Sequence, residues 1–139
     1  MKIIIKGKPK EKQSARFAKI GNYMKSYQPK ELMNVIADMK MQIRQQLPKD
    51  FKPITGEIFI REVSFIYPPL KSFSKKKLNA LEDDEDVYKT TKPDIDNLLK
   101  NLFDCCNGLV WVDDSRIVNI MNVNKVYGLV PQTKLVLEE

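Results

Sequence analysis

The sequence contains no histidine, and its two cysteines, Cys105 and Cys106, are adjacent. Without histidine, Ser-His-Asp and Cys-His catalysis and every zinc site that needs an imidazole ligand are excluded. Two thiols cannot form a four-thiolate metal site, and neighbouring cysteines rarely form a disulfide of relaxed geometry. Any catalysis must therefore use carboxylates, lysines, hydroxyls or a thiol. Free cysteines also favour a reducing cytoplasm.

Long hydrophobic runs are missing as well. No stretch approaches the ~18 consecutive apolar residues of a membrane-spanning helix, so we expect no membrane partner. The apolar run Ile3–Ile5 is too short for a secretory signal, which predicts a cytoplasmic protein. The chain has 139 residues, and at roughly 100–200 residues per domain we expect a single domain over residues 1–139.

Positive charge is concentrated in the first third of the chain. The net charge is +6, yet residues 1–52 carry 13 basic and 4 acidic side chains, whereas residues 53–139 carry 11 and 14. A nucleic-acid enzyme needs such a division, because cations bind phosphates by releasing counterions and carboxylates bind a metal ion. Charge alone fits a protein with many solvated surface lysines equally well.

Apolar periodicity predicts the main elements before residue 70. Ile3–Ile5 indicates a strand over 2–6. Residues 8–30 are rich in lysine with interleaved aromatics, which fits either a segment that covers phosphates and stacks on bases or a long solvated loop. A stripe at helical spacing predicts a helix over 28–47. Residues 55–67 are apolar on both faces, which predicts a central strand. The helical stripe consists of Leu32, Ile36, Met39, Ile43 and Leu47, and one face of the strand is expected to hold Phe59, Val63, Phe65 and Tyr67.

Residues 70–91 have the least regular pattern. Ser74 is placed to cap a short helix that ends near Leu81. The acidic run at 82–86 has neither the alternating ligand spacing nor the glycine of a calcium loop. We therefore expect a mobile, solvated linker that carries three lysines.

The segment Lys92–Lys100, with the sequence KPDIDNLLK, carries most of the candidate chemistry. Pro93 disfavours a helical conformation for Lys92, so the chain is expected to arrive extended. If it stays extended through the next residues, the carboxylates of Asp94 and Asp96 lie on the same side.

A helix is expected to follow these carboxylates. Asp96 or Asn97 would cap it, and it would run to about Cys106. Lys100 lies about one helical turn after Asp96 on the same side, so its ammonium group can approach both carboxylates.

A second acidic pair, Asp113 and Asp114, lies between an apolar run and a strand expected over 116–127. Clustered carboxylates repel one another unless a cation lies between them, and Mg²⁺ prefers oxygen ligands at roughly 2.0–2.1 Å. A bound metal lowers the pKa of a water molecule and stabilises the phosphorane, and Lys100 can stabilise the same charge. The pattern predicts metal-dependent cleavage of phosphodiesters.

Several runs of residues resemble the signature of the RusA family of Holliday-junction resolvases, which is frequent in bacteriophages. The densest similarity covers residues 92–117, where KPDIDNLLK is followed by FD, NG and WVDDSRI. The opening IKGKP at 5–9 is similar to the family's first strand and Gly-x-Pro turn. The basic run 74–77 and Lys125 also match positions that are basic in the family.

The resemblance implies a small α/β (α+β) fold, with a mixed sheet, two main helices packed against it and a symmetric homodimer. It also implies Mg²⁺ as cofactor with Mn²⁺ as a substitute, no small-molecule cofactor, and cuts that leave 5′-phosphate and 3′-hydroxyl ends. By position, Asp94, Asp96 and Asp114 match the family's metal-binding aspartates and Lys100 its essential lysine, while Asp113 is expected to be structural. Candidate DNA-binding residues are Lys8, Lys10, Lys12, Arg16, Lys75, Lys76, Lys77, Lys92 and Lys125.

Three functions follow from these patterns. The first is a dimeric, metal-dependent endonuclease that resolves four-way DNA junctions. The second is a nuclease of the same chemistry that acts on other branched DNA, since junction choice depends on dimer geometry. The third is a basic DNA-binding accessory protein without catalysis, which leaves the aspartates unexplained.

Overall fold

The computed structural model describes residues 1–11, 16–21, 23–27 and 30–139. Side chains at 12–20, 22–23, 25–29 and 32 lie outside the description. Two of the predicted DNA-binding groups, Lys12 and the side chain of Arg16, are therefore not placed.

A mixed sheet forms the centre of the fold. Its order is β1 (Lys2–Lys6), β8 (Gln132–Leu137), β4 (Ile58–Tyr67), β7 (Val123–Tyr127) and β5 (Val87–Tyr88), and β6 (Ile117–Ile120) also pairs with β4. The strand β4 is antiparallel to β8 and parallel to both β6 and β7. It is therefore the central strand, which confirms the prediction from its two apolar faces.

Three helices accompany the sheet: α1 (Lys30–Gln46), α2 (Lys75–Glu82) and α3 (Ile95–Cys106). A short 3-10 helix spans Asp114–Arg116. The helix α1 contacts β1 and α3, and buried side chains of α1, α3 and β4 join one hydrophobic core. The predicted fold class, a small α+β domain with two main helices on a mixed sheet, is confirmed. The homodimer stays a prediction.

The burial pattern of β4 differs from simple alternation. Ile58 and Ile60 are buried together with Val63 and Phe65, whereas Phe59 is 40% exposed. The register of β4 against β8 shifts between residues 60 and 62. A bulge inserts one residue and reverses which side chains face the core, so the predicted grouping of Phe59 with Val63 was wrong.

Edge strand β1 is covered by side chains from α1. Gln46 accepts a hydrogen bond from the Ile4 backbone N–H at 2.8 Å and donates one to the Ile4 carbonyl at 2.6 Å. Gln42 accepts from the Lys6 backbone N–H at 2.8 Å. These amides occupy edge groups that would otherwise be open to another strand.

Two segments predicted to be irregular contain regular structure. Strands β2 (Arg16–Ile20) and β3 (Tyr23–Tyr27) form an antiparallel pair where no strand was expected. Within 70–91, Ser74 caps α2 as predicted, because its hydroxyl accepts from the Lys77 backbone N–H at 3.2 Å. The pairing of β5 with β7 was not predicted.

The strand predicted over 116–127 is divided into β6 and β7, which both pair with β4. The division at Met121 and Asn122 accompanies the irregular middle of β4. Among the described residues, no helix has the length and apolar character needed to cross a membrane.

Candidate functional site

The N-terminus of α3 presents Asp94 at its cap position. Asp94 is extended, with φ −72° and ψ 147°, and its carbonyl accepts from the Leu98 backbone N–H at 3.2 Å. A capping aspartate usually accepts a backbone N–H with its side chain, but Asp94 makes no such bond. Its exposed carboxylate is thus not used to cap the helix.

Asp96 lies within the first turn of α3, so the predicted cap at Asp96 or Asn97 was wrong and the stretch from Asp94 to Asp96 does not stay extended. Because a helix turns about 100° per residue, positions two apart do not share a face, so the period-two argument fails here. Asp96 and Lys100, four residues apart, do share a face, and both are exposed. This spacing of carboxylate and ammonium was predicted correctly.

The opposite face of α3 fixes the helix in the core. Leu98 and Leu102 are fully buried, as are both cysteines. Asn101, 1% exposed, donates from Nδ2 to the Lys10 carbonyl at 3.1 Å. This buried hydrogen bond joins the helix that carries Asp96 to the basic turn that follows β1.

Lys125 of β7 braces the chain just before Asp94. Its Nζ donates to the Thr91 carbonyl at 2.6 Å and to the Pro93 carbonyl at 2.8 Å. Hydrogen bonds from a charged donor are roughly twice as strong as neutral ones. Lys125, which was predicted to bind DNA, is thus seen to hold the backbone that leads into α3.

Asp113 and Asp114 have different surroundings. Asp113 caps the 3-10 helix, and its Oδ2 accepts from the Ser115 backbone N–H at 3.1 Å. Hydrogen bonds from Ser115 lower the pKa of the Asp113 carboxyl. Asp114 lies inside the 3-10 helix, is partly buried, and belongs to an element that contacts α3.

The predicted metal ligands fit a divalent cation in chemistry but not in placement. Carboxylates are the oxygen donors that Mg²⁺ prefers. Within the described ranges, however, no group of three or more carboxylate or thiol side chains is arranged to hold a metal ion. Asp94, Asp96 and Asp114 are carried by neighbouring elements without forming a completed metal site.

Comparison with known proteins identifies the family. The family model "Endodeoxyribonuclease RusA" matches residues 6–138. The chain belongs to the RusA endodeoxyribonuclease family. The chain is also 33% identical over 87 residues to "Uncharacterized protein YqaN" of Bacillus subtilis (strain 168), an alignment that covers 62% of this chain and 60% of that protein. The chain thus spans less than two thirds of that relative. Membership of the RusA family supports a nuclease.

Contacts between lysines and aromatic rings join the region around α2 to strands β7 and β4. Lys77 lies 5.0 Å from the Phe73 ring centre, and Phe73 contacts Tyr127 edge to face at 4.7 Å. Lys89 lies 5.4 Å from the Tyr127 ring and 5.0 Å from the Tyr67 ring. Such contacts hold ammonium groups in place beside aromatic surfaces.

The remaining basic residues predicted for a RusA-type DNA surface fall into two groups. Lys8 and Lys10 line a cavity of about 360 Å³ that Pro93 also lines, so they lie close to the start of α3. Lys92 is exposed on the loop that contains Pro93, while Lys75 and Lys76 are exposed on the first turn of α2.

Sequence reasoning missed Lys89, Tyr67 and Asn101. Lys89 was read as part of a linker, and Tyr67 as an ordinary strand residue. Their contacts join segments far apart in the chain, so no local pattern pointed to them. Asn101 carried one weak signal, since it is a polar residue on the buried face of a helix.

The two cysteines do not provide a nucleophile. Both are buried and free. Burial raises the pKa of the Cys105 thiol to about 11 and raises that of Cys106 as well. Thiolates are the nucleophilic form, so these groups are unreactive at neutral pH.

Proposed function

We propose that this protein is a metal-dependent endonuclease that resolves four-way DNA junctions by paired, symmetric hydrolysis. The observation that carries the proposal is the N-terminus of α3. There, Asp94 is free of its capping role, and Asp96 and Lys100 share one exposed face. Family membership supports a nuclease acting on branched DNA.

The proposed metal ligands are Asp94, Asp96 and Asp114. Each is a carboxylate, and the elements that carry them are in contact. A bound Mg²⁺, with Mn²⁺ as a substitute, would activate a water molecule and stabilise the charge that develops on the phosphate. The three carboxylates are not gathered in the protein alone, so we expect metal binding to depend on phosphate oxygens from DNA.

Two lysines have separate proposed roles. Lys100 projects from the same face as Asp96, where its ammonium can offset negative charge on the phosphate during cleavage. Lys125 holds the Thr91 and Pro93 carbonyls and thereby positions Asp94.

Resolution of a four-way junction requires two related cuts. A two-fold dimer supplies two identical sites, so we propose a homodimer as the active form. We expect the activity in the cytoplasm, where the two buried thiols would stay reduced.

The decisive test compares an immobile four-way junction with a linear duplex built from the same arms. Each is incubated with the wild-type protein and with Asp96→Asn, in Mg²⁺, in Mn²⁺ and in EDTA. We expect paired symmetric nicks in the junction that require metal and disappear in the variant.

Other results have definite meanings. Equal cleavage of the duplex would leave a nuclease but contradict the junction assignment, and a panel of flaps and forks would then define the substrate. Junction binding without cleavage under every condition would indicate a DNA-binding accessory protein.

A further inference from the structure

One cavity beside the proposed active site has a buried polar group without a partner. It measures about 360 Å³ and lies between the basic turn that follows β1, the start of α1, and Pro93. Because Pro93 immediately precedes Asp94, this cavity adjoins the chain that leads into α3. Its charged and polar lining consists of Lys8, Lys10, Glu11, Glu31 and Tyr67.

The unpartnered group is the hydroxyl of Tyr67. Tyr67 ends β4 and is only 2% exposed, and its hydroxyl has no hydrogen-bond partner in the described part of the chain. Buried hydroxyls in native proteins nearly always have a partner, so an exception that lines a cavity points to a ligand. Lys89 lies against the ring at 5.0 Å.

The hydroxyl keeps its proton over the range of ordinary assays, so it is able to donate a hydrogen bond. Burial, together with the charge of Glu11, raises the pKa of Tyr67 to about 12. A group that offers an acceptor can therefore complete this hydrogen bond. Phosphate oxygens only accept, and they attract the ammonium groups of Lys8 and Lys10 on the same cavity.

The opposite charges on the cavity restrict what it binds. Among the described lining residues, Glu11 and Glu31 balance Lys8 and Lys10, so these four side chains carry no formal net charge together. A cavity of this kind does not attract anions by charge alone. Binding must depend on the directed contact to Tyr67 and on placement beside α3.

We propose that this cavity binds one backbone phosphate of the DNA strand being cut, with the Tyr67 hydroxyl as hydrogen-bond donor and Lys8 and Lys10 as its cationic partners. The inference rests on the proposed function for its substrate, DNA. It adds a subsite next to the cleavage position, where a held phosphate fixes the strand relative to Asp94.

The test uses Tyr67→Phe, which removes the hydroxyl and keeps the ring. Tyr88→Phe is the matched control, because Tyr88 is 61% exposed and its hydroxyl contacts Asp86 at 3.4 Å. Junction affinity is measured in EDTA at several salt concentrations, and cleavage is measured in Mg²⁺. Melting temperatures are recorded for each variant.

We expect Tyr67→Phe to raise the junction Kd by about 10–150-fold, the range of a lost hydrogen bond to a charged group. The salt dependence should stay unchanged, because the hydroxyl is neutral, whereas Lys8→Met should lower the salt slope by about one. The melting temperature should not fall, since a buried unpaired hydroxyl is removed. Tyr88→Phe should bind like the wild type.

Junctions with single methylphosphonate linkages identify the contacted group. At the position of the contacted phosphate, the neutral linkage should weaken junction binding by the wild type. The same linkage should weaken binding by Tyr67→Phe little further, because that variant has already lost the contact. A Kd within twofold of the wild type, or additive losses at every position, would overturn the phosphate subsite.

The outcomes also separate this inference from the proposed function. A wild-type protein that binds junctions without cutting them would contradict the proposed function, while the binding measurements still decide the role of Tyr67. A wild-type protein that cuts, with an unchanged Tyr67→Phe variant, would overturn the subsite alone. Absence of any junction binding would overturn both.

Discussion

The proposed metal ligands lie on two elements that are held in different ways. Asp94 and Asp96 begin α3, whose far face is buried and whose entering chain is braced by Lys125. Asp114 belongs to a 3-10 helix of three residues with no buried side chain. Its conformation depends on local bonds, chiefly the one between Asp113 and the Ser115 backbone N–H.

The two elements therefore differ in how firmly their surroundings hold them. The elements around α3 form a fixed support because they share buried contacts, whereas the 3-10 helix has little to oppose a small shift. Of the three proposed ligands, Asp114 is therefore the one with the fewest buried contacts to hold it. The predictions below test each half of the comparison, in order of decreasing expected effect.

The largest effect is expected from Asp96→Asn. Cleavage should fall about 10³-fold or more, because a charged ligand becomes a neutral amide of equal size. Junction affinity should persist or rise, since one negative charge near phosphate is lost. Asp96 at a helix N-terminus contributes about 0.3–1 kcal/mol, so melting should change little. Joint loss of binding and folding would instead make Asp96 a structural residue.

Lys100→Ala should have the next largest effect. Turnover should fall about 10²-fold with a much smaller change in junction affinity, because the ammonium acts mainly on charge that develops during cleavage. Single-turnover cleavage and anisotropy separate the two quantities. Equal losses in both would place Lys100 in the DNA-binding surface instead.

Lys125→Met tests the brace on the α3 side. Losing the bonds to the Thr91 and Pro93 carbonyls should lower turnover about tenfold, since a small displacement of Asp94 is costly. Lys125→Arg should restore part of the activity because it keeps a donor. A loss confined to affinity, with a reduced salt slope, would favour a phosphate contact.

Asp113→Asn tests the other element. Cleavage should stay within about threefold of the wild type, since an amide oxygen can still cap the 3-10 helix. The lowered pKa of Asp113 gives stability that is present above its unfolded pKa and lost as pH falls through the lower folded value. Acid melting curves should show that the variant lacks this component. A loss of cleavage as large as in Asp96→Asn would make Asp113 a ligand.

The smallest effect on activity is expected from the double change Cys105→Ala with Cys106→Ala. Both thiols are buried and protonated, so cleavage per folded molecule should be unchanged. Stability should fall by about 1–3 kcal/mol, as is common for truncations in a core. Activity that depends on either thiol would contradict their structural assignment.

Residues within one segment were the predictable part of this site. The sequence placed Asp96 and Lys100 on one helical face, and Ser74 at a helix cap, because those relations depend on neighbouring positions. The strand face predicted for Phe59 was wrong, because the bulge in β4 depends on its partner strand and not on the local sequence. The cap of α3 was predicted at Asp96 or Asn97 but is Asp94, two to three residues earlier, and that changed how Asp94 relates to Asp96.

By itself, the sequence determined the central position of β4 and the helix after Pro93, since periodicity is a local property, and its resemblance to a family signature implied the α+β class. Only the tertiary structure decided that Lys125 braces the chain before Asp94, that Asn101 joins α3 to the basic turn, and that Tyr67, with its buried hydroxyl, lines a cavity. Those contacts join residues between 32 and 91 positions apart or lie between separate elements. They exist because packing brings distant side chains together, which local sequence patterns do not encode.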